Sequence, residues 1–121
     1  MSKETDETKC PLEYGLKIFG KKWESKVICV LSTGGSFRYG EIRSRVEGIT
    51  DVALTATLKK LTADGIIRRT QYREIPPRVD YTLTPKGKTI VPIIKSICSW
   101  SQGNSDGIAI SCENCNAENK T

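Results

Sequence analysis

The 121-residue chain reads as a mainly α domain carrying one small β-hairpin. Two patterns predict this class. Apolar residues recur at helical spacing in five stretches, the first four closed by Gly20, Gly34-Gly35, Gly48 and Gly65. From Ile66 to Leu83 the period instead drops to two, on both sides of Pro76-Pro77. Charge adds a third observation. The flanks, residues 1–9 and 104–121, hold three of the 19 bases and six of the 14 acids, which leaves 16 against 8 in the body. A body of net charge +8 between mildly acidic ends points to a polyanionic partner.

The elements follow in order. Proline is favoured at the first helical position, so Pro11 opens the first helix and Cys10 falls at its N-cap. Leu12, Leu16 and Phe19 form its apolar face. A second helix carries Trp23, Val27, Val30 and Leu31 on one side. Ser36-Phe37 is expected as a very short strand. Tyr39 to Val46 is a third helix, with Tyr39, Ile42 and Val46 inward. Thr50 is a good N-cap for a fourth helix, striped by Ala53, Leu54, Leu58 and Leu61. Ile66 to Arg73 reads as a strand with Ile67 inward and Arg68, Arg69 and Arg73 in water. Val79 to Leu83 returns, Val79, Tyr81 and Leu83 alternating with Asp80 and Thr82. Thr84-Pro85 starts the last helix, striped by Ile90, Ile93, Ile94, Ile97 and Cys98 and widened by Val91 and Trp100. Pro92 lies within it and is expected to kink it, because proline has no N–H and crowds the preceding turn. The polar residues from Gly103 read as a tail. Expected boundaries are a polar extension 1–9, a domain 10–102 and a tail 103–121.

Helices three and four, joined by a short glycine-containing turn and followed by a hairpin, make the layout of a winged helix-turn-helix. The hairpin is then the wing. Prolines bend its tip without pairing, and its cations would lie along a phosphate backbone.

Composition narrows the function classes. There is no histidine, the commonest general base and metal ligand. No cofactor motif or metal site is expected. The start, MSKETDETK, lacks the apolar stretch of a signal peptide, and the longest apolar run, Val27 to Leu31, is far too short to span a membrane. Five cysteines without an export signal suit reduced thiols in a cytosol.

Several stretches resemble the HxlR-type winged-helix regulators, relatives of the MarR-type group. They are Cys10-Pro11, Gly20-Lys21-Lys22-Trp23, Arg38-Tyr39-Gly40-Glu41-Ile42, Gly48-Ile49-Thr50, Leu58 with Leu61, Ala63-Asp64-Gly65-Ile66, Pro76-Pro77-Arg78-Val79-Asp80-Tyr81, and Leu83-Thr84 with Gly87. The resemblance covers about residues 10–102 and implies a homodimeric DNA-binding transcription regulator, paired through the first and last helices. The wide stripe of the last helix agrees independently. These regulators commonly carry a lysine or arginine two residues after the cap of the fourth helix; this chain has Val52 there, preceded by Asp51, so the front of that helix is less basic.

In such a fold the fourth helix lies in the major groove. If Leu54, Leu58 and Leu61 face inward, Thr50, Asp51, Val52, Thr55, Ala56 and Lys59 face outward. Thr55 could bond a base edge, Val52 and Ala56 could touch a thymine methyl, Asp51 could accept from cytosine, and Lys59 suits the backbone. Arg73 and Arg78 are the wing candidates, with Arg68, Arg69 and Lys60 extending the strip. Arg78 has a second reading, an ion pair with Glu74 or Asp80 that shapes the hairpin. Arg43 and Arg45 either reach phosphate or simply face solvent. A twofold dimer would read an inverted repeat in double-stranded DNA with half-sites about one turn apart.

Cys10 is a second candidate. A helix N-terminus and the neighbouring Lys9 both favour a thiolate. The resemblance implies that Cys10 could sense oxidants or electrophiles, through a disulfide across the dimer or an adduct; an inert capping cysteine is the alternative. Cys29 and Cys98 read as core. Cys112 and Cys115 form a single C-x-x-C in the tail, half a zinc site with no histidine to complete it. It is either without a fixed role or an auxiliary thiol switch. Two further readings remain open: a winged-helix protein-interaction module without DNA reading, suggested by Asp51 and Val52, and a thiol–disulfide enzyme using Cys112 and Cys115. A small-molecule or thiol-reactive inducer could occupy a dimer cleft.

Overall fold

A computed structural model describes residues 9–107. Cys112 and Cys115 lie outside them. The elements are α1 (Pro11–Phe19), α2 (Lys22–Leu31), α3 (Tyr39–Arg45), α4 (Asp51–Ala63), β1 (Ile67–Tyr72), β2 (Arg78–Leu83), α5 (Pro85–Lys88) and α6 (Val91–Gly103). α2 is the hub. Val27, Ile28, Val30 and Leu31 bury all sides of its second half, and it packs against α1, α3, α4, α6 and β2. Facing it are Ile42 of α3, Leu54, Leu58 and Leu61 of α4, and Ile66, Ile67, Tyr81, Ile90 and Ile94. Leu54, Leu58 and Leu61 of the expected stripe are buried; Ala53 is half-buried, and Thr57, outside that stripe, is buried with them.

The hairpin is antiparallel, from Ile67 opposite Leu83 to Tyr72 opposite Arg78. The expected strand at Ser36-Phe37 shrinks to one bridge. Phe37 N–H donates to Tyr81 O at 3.0 Å, and Tyr81 N–H returns the bond at 2.8 Å. That bridge clamps the wing to the segment entering α3. At the other end of the hairpin, Thr84 N–H donates to Ile66 O at 3.0 Å, and the Thr84 hydroxyl caps α5 by accepting from Gly87 N–H at 3.0 Å. Gly87 has no alternative: a Cβ there would lie 2.2 Å from Ile66 O.

One expectation fails. The single kinked last helix is two helices, and Pro92 stands in the first turn of the second. Its nitrogen cannot donate to Lys88 O, and its ring would crowd that carbonyl. The backbone therefore ends α5 at Lys88 and restarts with Pro92 where no donor is needed.

The apolar sides of α1 and α6 are only partly covered. Ile90 and Ile94 are buried, but Leu12 is 68% exposed, and Ile93, Ile97 and Trp100 are all exposed. No helix among the described residues is long and apolar enough to cross a membrane.

Candidate nucleic-acid interface

The turn between α3 and α4 sets the presentation of α4. Gly48 takes φ +85°, a conformation that side-chain-bearing residues rarely adopt. It lets Val46 and Ile49, on either side, both turn into the core. Thr50 then caps α4, its hydroxyl accepting from Ala53 N–H at 3.1 Å. With Leu54, Thr57, Leu58 and Leu61 buried, Asp51, Val52, Thr55, Ala56 and Lys59 are left exposed, Val52 at 81%. These five form one continuous outward face. Thr50 sits at its head, with one lone pair of its hydroxyl spent on the cap.

Asp51 is not a free anion. Its Oδ1 lies 2.7 Å from Arg43 Nε and accepts from the Tyr39 hydroxyl at 2.8 Å. Tyr39 and Arg43 are four residues apart on α3, hence on one side of it, and together they hold the start of α4. Arg43 is thereby engaged within the fold. Arg45 stacks 5.3 Å from the Phe37 ring and reaches the Thr33 hydroxyl at 3.5 Å. The tyrosine–aspartate contact, which joins residues 12 apart, has no signature in local periodicity.

Lys60 leaves the basic strip proposed for it. Its Nζ lies 2.8 Å from Asp64 Oδ2 and 3.4 Å from Glu24 Oε2, and donates to Lys17 O at 3.0 Å. Burial disfavours its ammonium, but the Asp64 hydrogen bond and the charges of Glu24 and Asp64 outweigh that and raise its pKa. Glu24 is only 4% exposed, and its Oε1 has no hydrogen-bond partner. The pair pins α2 to α4. Glu24, Val27, Ile28 and Leu31 follow i, i+3, i+4, i+7 spacing, so an acid on an apolar face was the available signal.

On the wing, Arg68, Arg69 and Arg73 are exposed. Arg69 also reaches Gln71 Oε1 at 3.4 Å. Arg78 differs. It lies 3.7 Å from both Glu74 Oε2 and Asp80 Oδ1, and its guanidinium stacks 4.0 Å from the Tyr72 ring centre. Of the two roles open to it, the geometry is that of a hairpin brace. Cys10 is an exposed free thiol at the N-cap of α1; its side chain makes no cap bond, and its carbonyl accepts from Tyr14 N–H at 3.1 Å.

A recognition-type helix with one bare face, beside a two-stranded wing with exposed arginines, is the geometry of winged helix-turn-helix regulators. The HxlR-like helix-turn-helix family model matches residues 18–108. The chain belongs to that family. Among curated relatives of this HxlR-like chain, an uncharacterized HTH-type transcriptional regulator of Methanothermobacter thermautotrophicus is 43% identical over 97 residues, covering 80% of this chain and 73% of the relative. Among solved structures, the redox regulator HypR in its reduced form is 36% identical, with a TM-score of 0.75 over 80% of this chain and 95% of that one. Its oxidized form matches with a TM-score of 0.69. The reduced transcriptional regulator YodB of B. subtilis is 29% identical, with a TM-score of 0.72 over 84% of this chain and all of that one. The HxlR-like chain is thus a DNA-binding transcription regulator of the helix-turn-helix type.

Proposed function

We propose that residues 10–102 form a sequence-specific DNA-binding unit that works as a homodimer in the cytoplasm, reading an inverted repeat. The observation that carries this reading is the outward face of α4. Thr50, Asp51, Val52, Thr55, Ala56 and Lys59 lie on one side of a helix whose other side is core. Thr55 offers a hydroxyl to a base edge, and Val52 and Ala56 offer methyl groups to thymine. Lys59 and the wing's Arg73, with Arg68 and Arg69 behind it, meet phosphate, while Arg78 keeps the hairpin in shape.

Pairing uses α1 and α6. Leu12, Leu16, Ile93, Ile97 and Trp100 are large apolar side chains left exposed by the fold of one chain, and covering such a patch is what a second copy supplies. Cys10 opens α1, so a thiol reaction there acts at the pairing helix. Oxidation of two Cys10 thiols by a two-electron oxidant forms one disulfide and releases two protons; an electrophile instead adds to the sulfur. Either event alters the separation of the two α4 helices. That HypR was solved in oxidized and reduced forms supports examining this chain for the same behaviour. The interaction-module reading loses much of its motive, since Asp51 is neutralised by Arg43.

The test is a mobility shift on DNA flanking the protein's own coding region, at low salt, with reductant and then with a mild thiol oxidant. Binding when reduced and release when oxidised, with Cys10→Ser bound in both states, is the expected result. Binding insensitive to oxidation removes the thiol switch. Absence of binding at low salt in both states overturns the reading.

A further inference from the structure

Lys60 makes one contact more than pinning α2 to α4 requires. Glu24 and Asp64 already neutralise its ammonium, at 3.4 and 2.8 Å. The third contact is on α1, where Lys60 Nζ donates to Lys17 O at 3.0 Å. That carbonyl is among the last four of α1, which no later turn of the helix pairs. Gly20 N–H closes another of them, Leu16 O, at 2.8 Å. Many helices end on a left-handed glycine that satisfies these carbonyls, but Gly20 takes φ −82°. A side chain of α4 thus caps α1 from across the fold. Its positive charge stands at the negative end of the α1 dipole.

α1 is weakly held otherwise. It has nine residues, none of them buried, and a helix that short is marginal alone. Its anchors on the core are Ile18 and Phe19, both half-buried and both next to or near the capped carbonyl. Lys60 itself is firmly placed. Glu24 is buried, with Oε1 lacking a partner, so its charge depends on the lysine staying where it is. One turn earlier on α4 stands Ala56 of the outward face. We infer that Lys60 is a positioning residue that couples the docking of α1 to the pose of α4. The inference rests on the pairing and DNA-binding readings above and adds the residue that joins them. A second copy seated on α1 steadies α4 through this contact, and DNA on α4 steadies α1, since such coupling is reciprocal. A lysine serving only as counter-ion to Glu24 would need no carbonyl of α1.

The experiment uses the full chain as wild type, as Lys60→Met and as the double variant Glu24→Met with Lys60→Met. The double variant removes the buried carboxylate together with its cation, a replacement that commonly keeps a fold stable. Amide hydrogen exchange is followed by NMR. Amides in the buried half of α2 report global unfolding, and those in the last turn of α1 report local opening. The last turn of α1 should exchange about tenfold faster in both variants, from the loss of one charge-assisted hydrogen bond. The α2 amides of the double variant should keep wild-type rates. A duplex that the wild type selects from a random-sequence pool is then added to saturation, at a protein concentration where sedimentation shows the same oligomeric state with and without DNA. It should slow α1 exchange further in the wild type and leave the double variant unchanged. Equal α1 rates in the wild type and both variants overturn the cap. An equal response to DNA in the wild type and the double variant, including none, overturns the coupling. A wild type that selects no duplex overturns the DNA-binding reading, and one that stays monomeric overturns the pairing reading; in either case the exchange rates without DNA still judge the cap.

Discussion

Arg43 of α3 and Lys60 of α4 contrast with three arginines of the wing. Arg43 is committed to Asp51, and Lys60 to Glu24 and Asp64. On β1 and the tip, Arg68, Arg69 and Arg73 are exposed. Both regions look equally basic in the sequence. The difference teaches that charge count alone locates no phosphate contact; a cation already paired inside the fold must break that pair before it can serve another anion. In the helix-turn-helix half the Arg43–Asp51 pair holds the start of α4, and Val52, Thr55 and Ala56 stay exposed on its outward face as the proposed base-reading residues. On the proposed function, the wing supplies the long-range attraction.

The sharpest way to break this contrast is to remove the wing charges together. The triple variant Arg68→Ala, Arg69→Ala, Arg73→Ala should bind DNA about 100- to 1000-fold more weakly near physiological salt, with an unchanged unfolding midpoint. A direct titration by fluorescence anisotropy measures it. Next in size is Lys60→Met. It leaves the Glu24 carboxylate buried without its cation, and urea unfolding should show a loss of about 2 kcal/mol, below the usual cost of breaking a fully buried pair because Lys60 is partly exposed. Its dependence of DNA binding on salt should match the wild type.

The same contact sets a pH dependence. The pKa of Lys60 is raised in the folded protein, so the folded state holds this proton more tightly than the unfolded chain does. The stabilisation is complete below the ordinary lysine value of 10.5 and drains away as pH rises through the higher folded value. Thermal unfolding between neutral pH and pH 11 should show a late decline in the wild type that is smaller in Lys60→Met. The smallest effect is expected for Asp51→Asn. The Arg43 contact is solvent-accessible, so stability should fall by less than about 1 kcal/mol. DNA affinity should rise a few-fold, because Arg43 loses its anion and becomes available to phosphate.

Much of this fold is legible in the sequence because its signals are local. The Thr50 cap, the left-handed Gly48 and the Leu54–Leu58–Leu61 stripe each act within a few residues, and so does the bend at Pro76-Pro77. The break at Pro92 was hidden by a different local fact. Thr89 and Ile90 keep helix-like dihedrals between α5 and α6, so the apolar spacing runs on while the hydrogen-bond ladder stops. The outward residues of α4 could be named in advance because burying one side of a helix defines the other. Their internal partners could not. Asp51 meets Tyr39, and Glu24 meets Lys60, only after helices have packed, and nothing in a periodicity specifies which charged side chains then face each other. Arg78 shows the limit most clearly: both of its roles fitted the sequence, and packing against Tyr72 between two acids decides its geometry.

The most direct test of this division is the salt dependence of DNA binding by wild type and Arg73→Ala, measured on one duplex across a series of potassium chloride concentrations. If the wing supplies phosphate contacts, the log–log slope should fall in magnitude by about 1.8 per dimer, about 0.9 for each lost arginine. An unchanged slope would mean that Arg73 touches no phosphate, and the assignment of the attractive charge to the wing would be wrong.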